Sequence, residues 1–329
     1  MAVTIQQIAK EAGVSKATVS RVLNGLGVKY ETEQKVKAVM LKRDYRPNRF
    51  ARGLSAQRTG FLGVITPTFA DPYVAAVLSG VEEESNRQGK LITLSVFHPL
   101  QANEKESVHN LVNPPLVEGL LFLVPTPAMD SVLRDLVRQK FPLVVVSERR
   151  YEDLAHSVVI DNFNGAYQAT QYLISKGHRR VGFVQGNPEL TDSKDRFEGY
   201  QQALKEAGIP LEKDLLLPGN YELTAGQEAC EKFLQMAHPP DAVFASNDRM
   251  AIGVLKTLQS RGKQGAFAVM GFDDIPMAAL MNPSLTTMGY DLNELGKLAV
   301  HKLLRLISGE EKTRSTLQLK GHLVVRESA

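Results

Sequence analysis

Two sets of side chains in this 329-residue chain have types and spacings suited to recognition chemistry. The first, Ser15, Lys16, Ala17, Thr18, Ser20 and Arg21, is packed into one short segment near the N-terminus. Lys16, Ala17 and Arg21 can address base edges, whereas the Thr18 and Ser20 hydroxyls suit phosphate oxygens. The second set is dispersed: Asp71, Tyr73, Glu148, Arg149, Arg196, Asn247 and Asp273. Carboxylates, an amide and a guanidinium make planar hydrogen-bond pairs with hydroxyls. The rings of Tyr73, Phe163, Tyr221 and Tyr290 can lie against the apolar face of the same polyhydroxylated ligand.

Two short helices and a tight turn position the first set. Thr4 stands three residues before Gln7, a capping-box spacing, and Ile5, Ile8, Ala9 and Ala12 recur at helical period. Gly13 follows where that helix must stop in a left-handed conformation, and Ser15 can cap the next through its hydroxyl. The second helix turns Val19, Val22 and Leu23 inward. A small Ala9, a glycine turn and the Val19 wedge are what two closely crossing helices require. In a helix-turn-helix the second helix enters the major groove with its N-terminal residues on the bases. A third helix over about residues 31–44 supplies Val36, Val39 and Met40 to close the core. Pro47 then breaks the chain, and Asn48 can cap a turn or two through Arg49, Ala51, Arg52, Gly53 and Leu54. Gly53 leaves this piece marginal alone, which suits a hinge that orders on DNA and wedges Leu54 into the minor groove.

Charge separates the two regions. Residues 1–58 hold twelve basic and four acidic side chains, a balance of +8, and the remainder of the +3 chain is therefore −5. A compact cationic module attracts a polyanion because each neutralised phosphate releases counterions. A merely solvated basic surface would carry the same charge, so the helical motif decides between them.

Beyond residue 60 short apolar runs alternate with amphipathic stretches. Phe61–Ile65, Leu91–Val96, Gly119–Val124, Leu143–Val146, Val181–Val184, Ala242–Phe244 and Ala266–Met270 read as buried strands, with helices such as Tyr73–Arg87, Asn162–Ser175, Arg196–Ala207, Thr224–Met236 and Asp248–Arg261 between them. That alternation predicts parallel sheets flanked by helices, and about 270 residues suit two lobes. Ligands of such sheets bind beyond the carboxyl ends of the strands, which selects the second set, with Arg196 opening the helix after Val181–Val184. Each member has a plainer reading. Asp273 and Asn247 are as well placed to cap helices, Arg196 to form a surface ion pair, and Glu148 and Arg149 to pair with each other.

Several classes are disfavoured. Cys230 is the single cysteine, so no intrachain disulfide can form, and no run approaches the roughly 20 apolar residues of a membrane span. The N-terminus lacks a basic-then-apolar leader, which argues for a cytoplasmic protein and against a secreted binding protein. Phosphate-loop, dinucleotide-fingerprint, nucleophile-elbow and H-E-x-x-H motifs are missing, and the seven histidines are scattered. No catalytic residue, metal or cofactor is expected.

The segments Val3-Thr4-Ile5, Ala12-Gly13-Val14-Ser15, Thr18-Val19-Ser20-Arg21-Val22-Leu23-Asn24-Gly25 and Tyr45-Arg46-Pro47-Asn48 closely resemble the LacI/GalR regulators. Gly177-His178-Arg179-Arg180, Arg196-Phe197-Glu198-Gly199-Tyr200, Asn247-Asp248-Arg249-Met250 and Gly271-Phe272-Asp273-Asp274 extend the likeness over nearly the whole chain. One departure is Gly27–Thr32, where the family's capped turn before the third helix is missing. The resemblance implies an α/β chain with an all-α helix-turn-helix headpiece (1–47), a hinge and linker (48–60), and a two-lobed periplasmic-binding-protein-like sensor (61–329). Lobe one would take about 61–160 and 291–320, lobe two about 161–290 and 321–329, with crossings near 160, 290 and 320. It adds Thr4, Asn24, Asn48 and Ala51 to the DNA contacts and points to Arg196, Asn247 and Asp273 as effector contacts; the strand-end rule itself selects Asp161, at the crossing near 160, for the effector set. The resemblance implies a repressor of double-stranded operator DNA, working as a homodimer under a sugar-like effector. The chain ends at Ala329 without a heptad extension, so a dimer is expected and a tetramer is not.

Overall fold

The computed structural model describes residues 3–23, 26–45, 59–97, 104–112 and 116–329. They fall into two compact units, Met1–Thr59 and Gly60–Ala329. In the first, α1 spans Ile5–Ala12 and opens on a full capping box: Gln7 N donates to Thr4 Oγ1 (3.3 Å) and Thr4 N to Gln7 Oε1 (2.9 Å). Gly13 stops it at φ +66°, in the left-handed region that glycine enters without a Cβ penalty. Ser15 Oγ accepts from Thr18 N (3.1 Å) at the head of α2, Lys16–Leu23. The third helix, α3, runs Tyr30–Lys42, and Lys29 before it makes no side-chain cap. Ile8, Ala9, Val19 and Val36 are buried at the centre, with Val22, Leu23, Val39 and Met40 packed around them. The inward and outward faces expected of α1 and α2 are therefore the ones observed.

The second unit holds two six-stranded sheets. The first takes β1 (Phe61–Thr66), β2 (Leu91–Val96), β3 (Leu120–Leu123), β4 (Leu143–Val146), β5 (His156–Ile160) and β11 (Thr316–Leu319), in the order β11-β5-β4-β3-β1-β2, all parallel. The second takes β6 (Val181–Val184), β7 (Leu216–Leu217), β8 (Ala242–Ala245), β9 (Ala268–Asp273), β10 (Thr286–Gly289) and β12 (His322–Val324), in the order β12-β10-β9-β8-β6-β7, with only β12 antiparallel. The chain passes between sheets after β5, after β10 and between β11 and β12.

Helices α4 (Pro72–Arg87), α5 (Glu104–Val112), α6 (Asp130–Arg138) and α11 (Leu292–Ser308) accompany the first sheet, and α7 (Asn162–Ser175), α8 (Thr191–Glu206), α9 (Leu223–Leu234) and α10 (Asp248–Ser260) the second. Helix α8 begins at Thr191, so Arg196 does not open it but sits in its second turn. Its first residues, Thr191-Asp192-Ser193, carry no apolar period that would announce a helix.

Glycines let α9 cross α10 closely. A Cβ on Gly226 would press into the Met250 carbonyl, its carbon 2.7 Å away, and one on Gly253 would meet the backbone of α9 in return. Gly226→Ala is thus expected to destabilise the second unit by about 1–3 kcal/mol or more, because backbone cannot yield as a side chain does. A urea midpoint equal to that of the unchanged chain would show that the helices can part without cost.

Candidate functional site

The carboxyl ends of β1, β3, β4, β8 and β9 and the helices after them open on one cleft in the second unit. It is lined by Pro67, Thr68, Asp71, Tyr73, Val74, Val124, Thr126 and Ser147 from the first-sheet lobe, and by Leu190, Asp192, Arg196, Asn220, Tyr221, Glu222, Asn247 and Asp273 from the second. Four of these, Val124, Ser147, Tyr221 and Asp273, have positive φ (47°, 68°, 69° and 109°). Such conformations cost a side-chain-bearing residue free energy and persist where surrounding contacts impose them.

Arg196 is the cleft's electrostatic centre and only 3% exposed. Its Nε donates to Asn162 Oδ1 (2.8 Å), Nη1 to the Ser246 carbonyl, and Nη2 reaches Asp273 (3.4 Å) and Asp192 (3.9 Å). Its guanidinium lies 4.0 Å from the Phe272 ring centroid and 5.7 Å from that of Tyr221, two cation–π contacts. Burial opposes its charge, but the acidic surroundings, Asp273 foremost, outweigh that, so the guanidinium stays protonated. Burial pushes the Asp273 carboxyl well up, against the pull of Arg196. Burial likewise raises the phenols of Tyr73 and Tyr221, keeping both neutral as donors. The Tyr221 hydroxyl donates to Asp192 (2.9 Å), and that of Tyr73 shares a hydrogen bond with Ser147 (2.5 Å).

Of the eleven side chains singled out for a ligand, six line the cleft: Asp71, Tyr73, Arg196, Tyr221, Asn247 and Asp273. The plainer readings divide. Asn247 does cap α10, accepting from Met250 N (3.0 Å), while also lining the cleft. Arg196 is no surface ion pair. Asp273 does not serve as the cap of the short 3-10 turn that follows, Pro276–Leu280, whose cap position is Ile275. The other five are not among the lining residues. Buried Glu148 accepts from Thr191 N (3.2 Å), Thr191 Oγ1 and Arg150 N (2.9 Å) instead of pairing with Arg149. Exposed Arg149 bonds Asp195 (3.0 Å), and Arg150 donates to the Glu189 carbonyl. Three consecutive residues after β4 thus grip the segment around the start of α8, and Arg249 with Asp71 (3.1 Å) makes a further bridge between lobes. Asp161 caps α7 through Asn164 N (3.2 Å), and its carbonyl accepts from Tyr290 (2.8 Å), so these two tie neighbouring crossings together. Phe163 lies on a different groove with Glu198 and Lys205.

Sequence reasoning missed Asp192, Ser147, Asn220 and Glu222 in the lining. Asp192 stands one helical turn before Arg196, a spacing that carried the signal once α8 was known to begin at Thr191. Asp248, beside Asn247, is fully buried and accepts from Thr287 Oγ1 (2.6 Å) and Ile275 N (2.8 Å). Burial pushes its carboxyl up to about 7 from 3.8 despite those donors. Between these values the folded chain holds a proton the unfolded chain has lost, so stability falls as pH rises. Asp248→Asn removes that titration, and its stability relative to the unchanged chain is expected to improve by about 2–3 kcal/mol from about pH 5 to 7. Parallel urea-derived stability profiles for the two proteins would refute it.

In the first unit Lys16, Ala17 and Arg21 are exposed on α2, with Thr18 and Ser20 half-buried beside them and Ser15 and Thr4 at the helix starts. Lys42 and Arg43 share the single carboxylate of Glu11 (3.0 and 2.7 Å), which offsets one of their two charges. Asn24, Asn48, Arg49, Ala51 and Leu54 lie outside the described residues. Among the described residues no group of three His, Cys, Asp or Glu could hold a metal ion, and no helix is long and apolar enough to cross a membrane.

A small helix-turn-helix unit with polar side chains outward on its second helix, followed in the chain by a two-sheet unit with a cleft at its strand ends, defines a DNA-binding regulator with a periplasmic-binding-protein-like sensor. Residues 4–48 match the model of bacterial regulatory proteins of the lacI family, and residues 170–329 that of the periplasmic binding protein-like domain. Catabolite control protein A of Priestia megaterium is 32% identical over 332 residues, covering 100% of this chain and 99% of that protein. The HTH-type transcriptional repressor PurR of Pasteurella multocida is 33% identical, covering 99% and 98%. Among solved structures, the lac repressor dimer bound to operator and the anti-inducer ONPF matches with a TM-score of 0.88 at 25% identity, over 100% of this chain and 99% of that one. The transcriptional regulator CelR–cellobiose complex matches at 0.76 and 30% identity, over 99% and 100%. The chain belongs to the LacI family of transcriptional regulators.

Proposed function

We propose that this regulator is a repressor that binds a near-palindromic operator as a homodimer and answers to a sugar or sugar derivative held in the cleft. The observation that carries the sensor half is the constellation around Arg196: Asp192 and Asp273 about one guanidinium, flanked by Asp71, Asn247, Tyr73 and Tyr221. That set offers paired acceptors and donors for ring hydroxyls, and aromatic faces for the ring's apolar side. For DNA, Lys16, Ala17 and Arg21 read bases, Thr4, Ser15, Thr18 and Ser20 contact the backbone, and Asn24, Asn48, Arg49, Ala51 and Leu54 extend the interface through the hinge. Dimer formation is supported by exposed apolar side chains: Leu94 on the open edge strand β2, and Leu280, 82% exposed. Effector binding draws the lobes together, and the difference in operator affinity between the two arrangements sets the response. The cytoplasm is its place of action and binding its whole activity.

A melting-temperature screen of sugars followed by operator gel shifts tests this. Asp273→Asn is expected to keep operator binding while losing about 10-fold or more in effector affinity, because one carboxyl oxygen that can accept becomes an amide nitrogen that cannot. A normal response in that variant removes Asp273 from the site, and sedimentation as a stable tetramer overturns the dimer.

A further inference from the structure

We propose that the cleft selects an uncharged, single-ring polyol and rejects the phosphorylated or carboxylated forms of the same compound. This narrows the effector reading above and rests on it. Four carboxyl groups line the cleft, on Asp71, Asp192, Glu222 and Asp273, against one guanidinium, Arg196. That guanidinium is already engaged by Asn162, the Ser246 carbonyl and Asp273, with its face on Phe272. Arg249, which reaches Asp71, is held by Glu222 as well. Among the described residues no lining cation is left for an anion.

Helix N-termini are the other places where an anion settles. Four border the cleft; three are taken, and the fourth, that of α9, has no side-chain cap but opens on the Glu222 carboxylate, a like charge to any anion. At α4, Asp71 accepts from Tyr73 N (2.8 Å). At α10, Asn247 accepts from Met250 N (3.0 Å). At α8, Thr191 N is given to Glu148 (3.2 Å). An incoming phosphate would displace a carboxylate or amide from each of these three and face uncompensated like charge, which holds even with Asp273 neutral. A hydroxyl, by contrast, finds acceptors on every side. The cavity of about 200 Å³ is small beside the roughly 300–1,000 Å³ that take drug-sized ligands, which leaves room for one ring.

The test uses the full chain and matched probes in a thermal-shift titration: ribose with ribose 5-phosphate, glucose with glucose 6-phosphate and glucuronate, galactose with galacturonate, and cellobiose beside glucose. Every compound that binds is expected to be a neutral single ring, with its anionic partner weaker by roughly tenfold or more. Asp192→Asn combined with Glu222→Gln should narrow that gap. An anionic partner binding as tightly as its neutral form, or a disaccharide binding better than its monosaccharide, overturns the proposal. Silence across the whole panel removes the effector reading itself, a failure distinct from binding with the wrong charge preference.

Discussion

Arg196→Met is expected to cost the sensor unit about 3–5 kcal/mol, because it strips buried Asn162, the Ser246 carbonyl and Asp273 of their donor and Asp192 of its nearby cation. The loss exceeds that of an ordinary surface pair because Arg196 is 3% exposed and fills three roles at once: donor to Asn162, donor to the Ser246 carbonyl, and cation against the Phe272 and Tyr221 rings. Methionine replaces the volume but none of the donors. A urea titration following the sensor unit reads the loss directly. Arg196→Lys separates charge from geometry: it restores a cation but not the planar fork, so part of the stability returns while effector affinity does not. If Arg196→Met unfolds within about 1 kcal/mol of the unchanged chain, the network is solvent-compensated and the centre of the cleft lies elsewhere.

Arg21→Ala is expected to remove about 1–3 kcal/mol of binding per half-site, hence about 2–6 kcal/mol across a two-fold operator, bringing specific binding down toward the non-specific level. The side chain is exposed on α2, so its truncation leaves the core of Ile8, Ala9, Val19 and Val36 intact. The melting temperature of the headpiece and the affinity for effector should therefore not move. Competition against random duplex separates the two ways an arginine can act. A base reader loses discrimination, whereas a phosphate contact weakens both duplexes alike and lowers the salt slope by about one. Equal weakening on operator and random DNA would reassign Arg21 to the backbone.

The headpiece was legible because its determinants are local. A capping box, a glycine at the required φ and a serine cap each act within four residues, and the inward positions of α1 and α2 follow from one helical period. The strand-helix alternation of the sensor was legible for the same reason: central parallel strands such as β3 and β4 are buried on both faces and read as unbroken apolar runs. Five strands escaped notice, and two of them, β5 (His156–Ile160) and β10 (Thr286–Gly289), are buried but open on polar pairs, His156-Ser157 and Thr286-Thr287, that hide the apolar run. β11, Thr316–Leu319, is almost wholly exposed, and β7 and β12 are two and three residues long.

The candidate cleft divides along the same line. Residues directly at strand ends or helix starts, Asp71, Tyr73, Asn247 and Asp273, could be selected from the chain because the ends of parallel strands converge whatever the rest of the molecule does. Which lobe each strand joins, and so which side chains face each other, was decided by three crossings between sheets. Glu148 and Arg149 thus became holders of one lobe against the other, while Asp192 and Glu222 moved into the cleft. Their partners lie 43 and 46 residues away for the first two, and 27 for Glu222 with Arg249. Helical periods and cap spacings express contacts within a few residues, so they place a side chain on a face of its own element. What that face meets depends on how distant elements pack, and only the tertiary structure carries that.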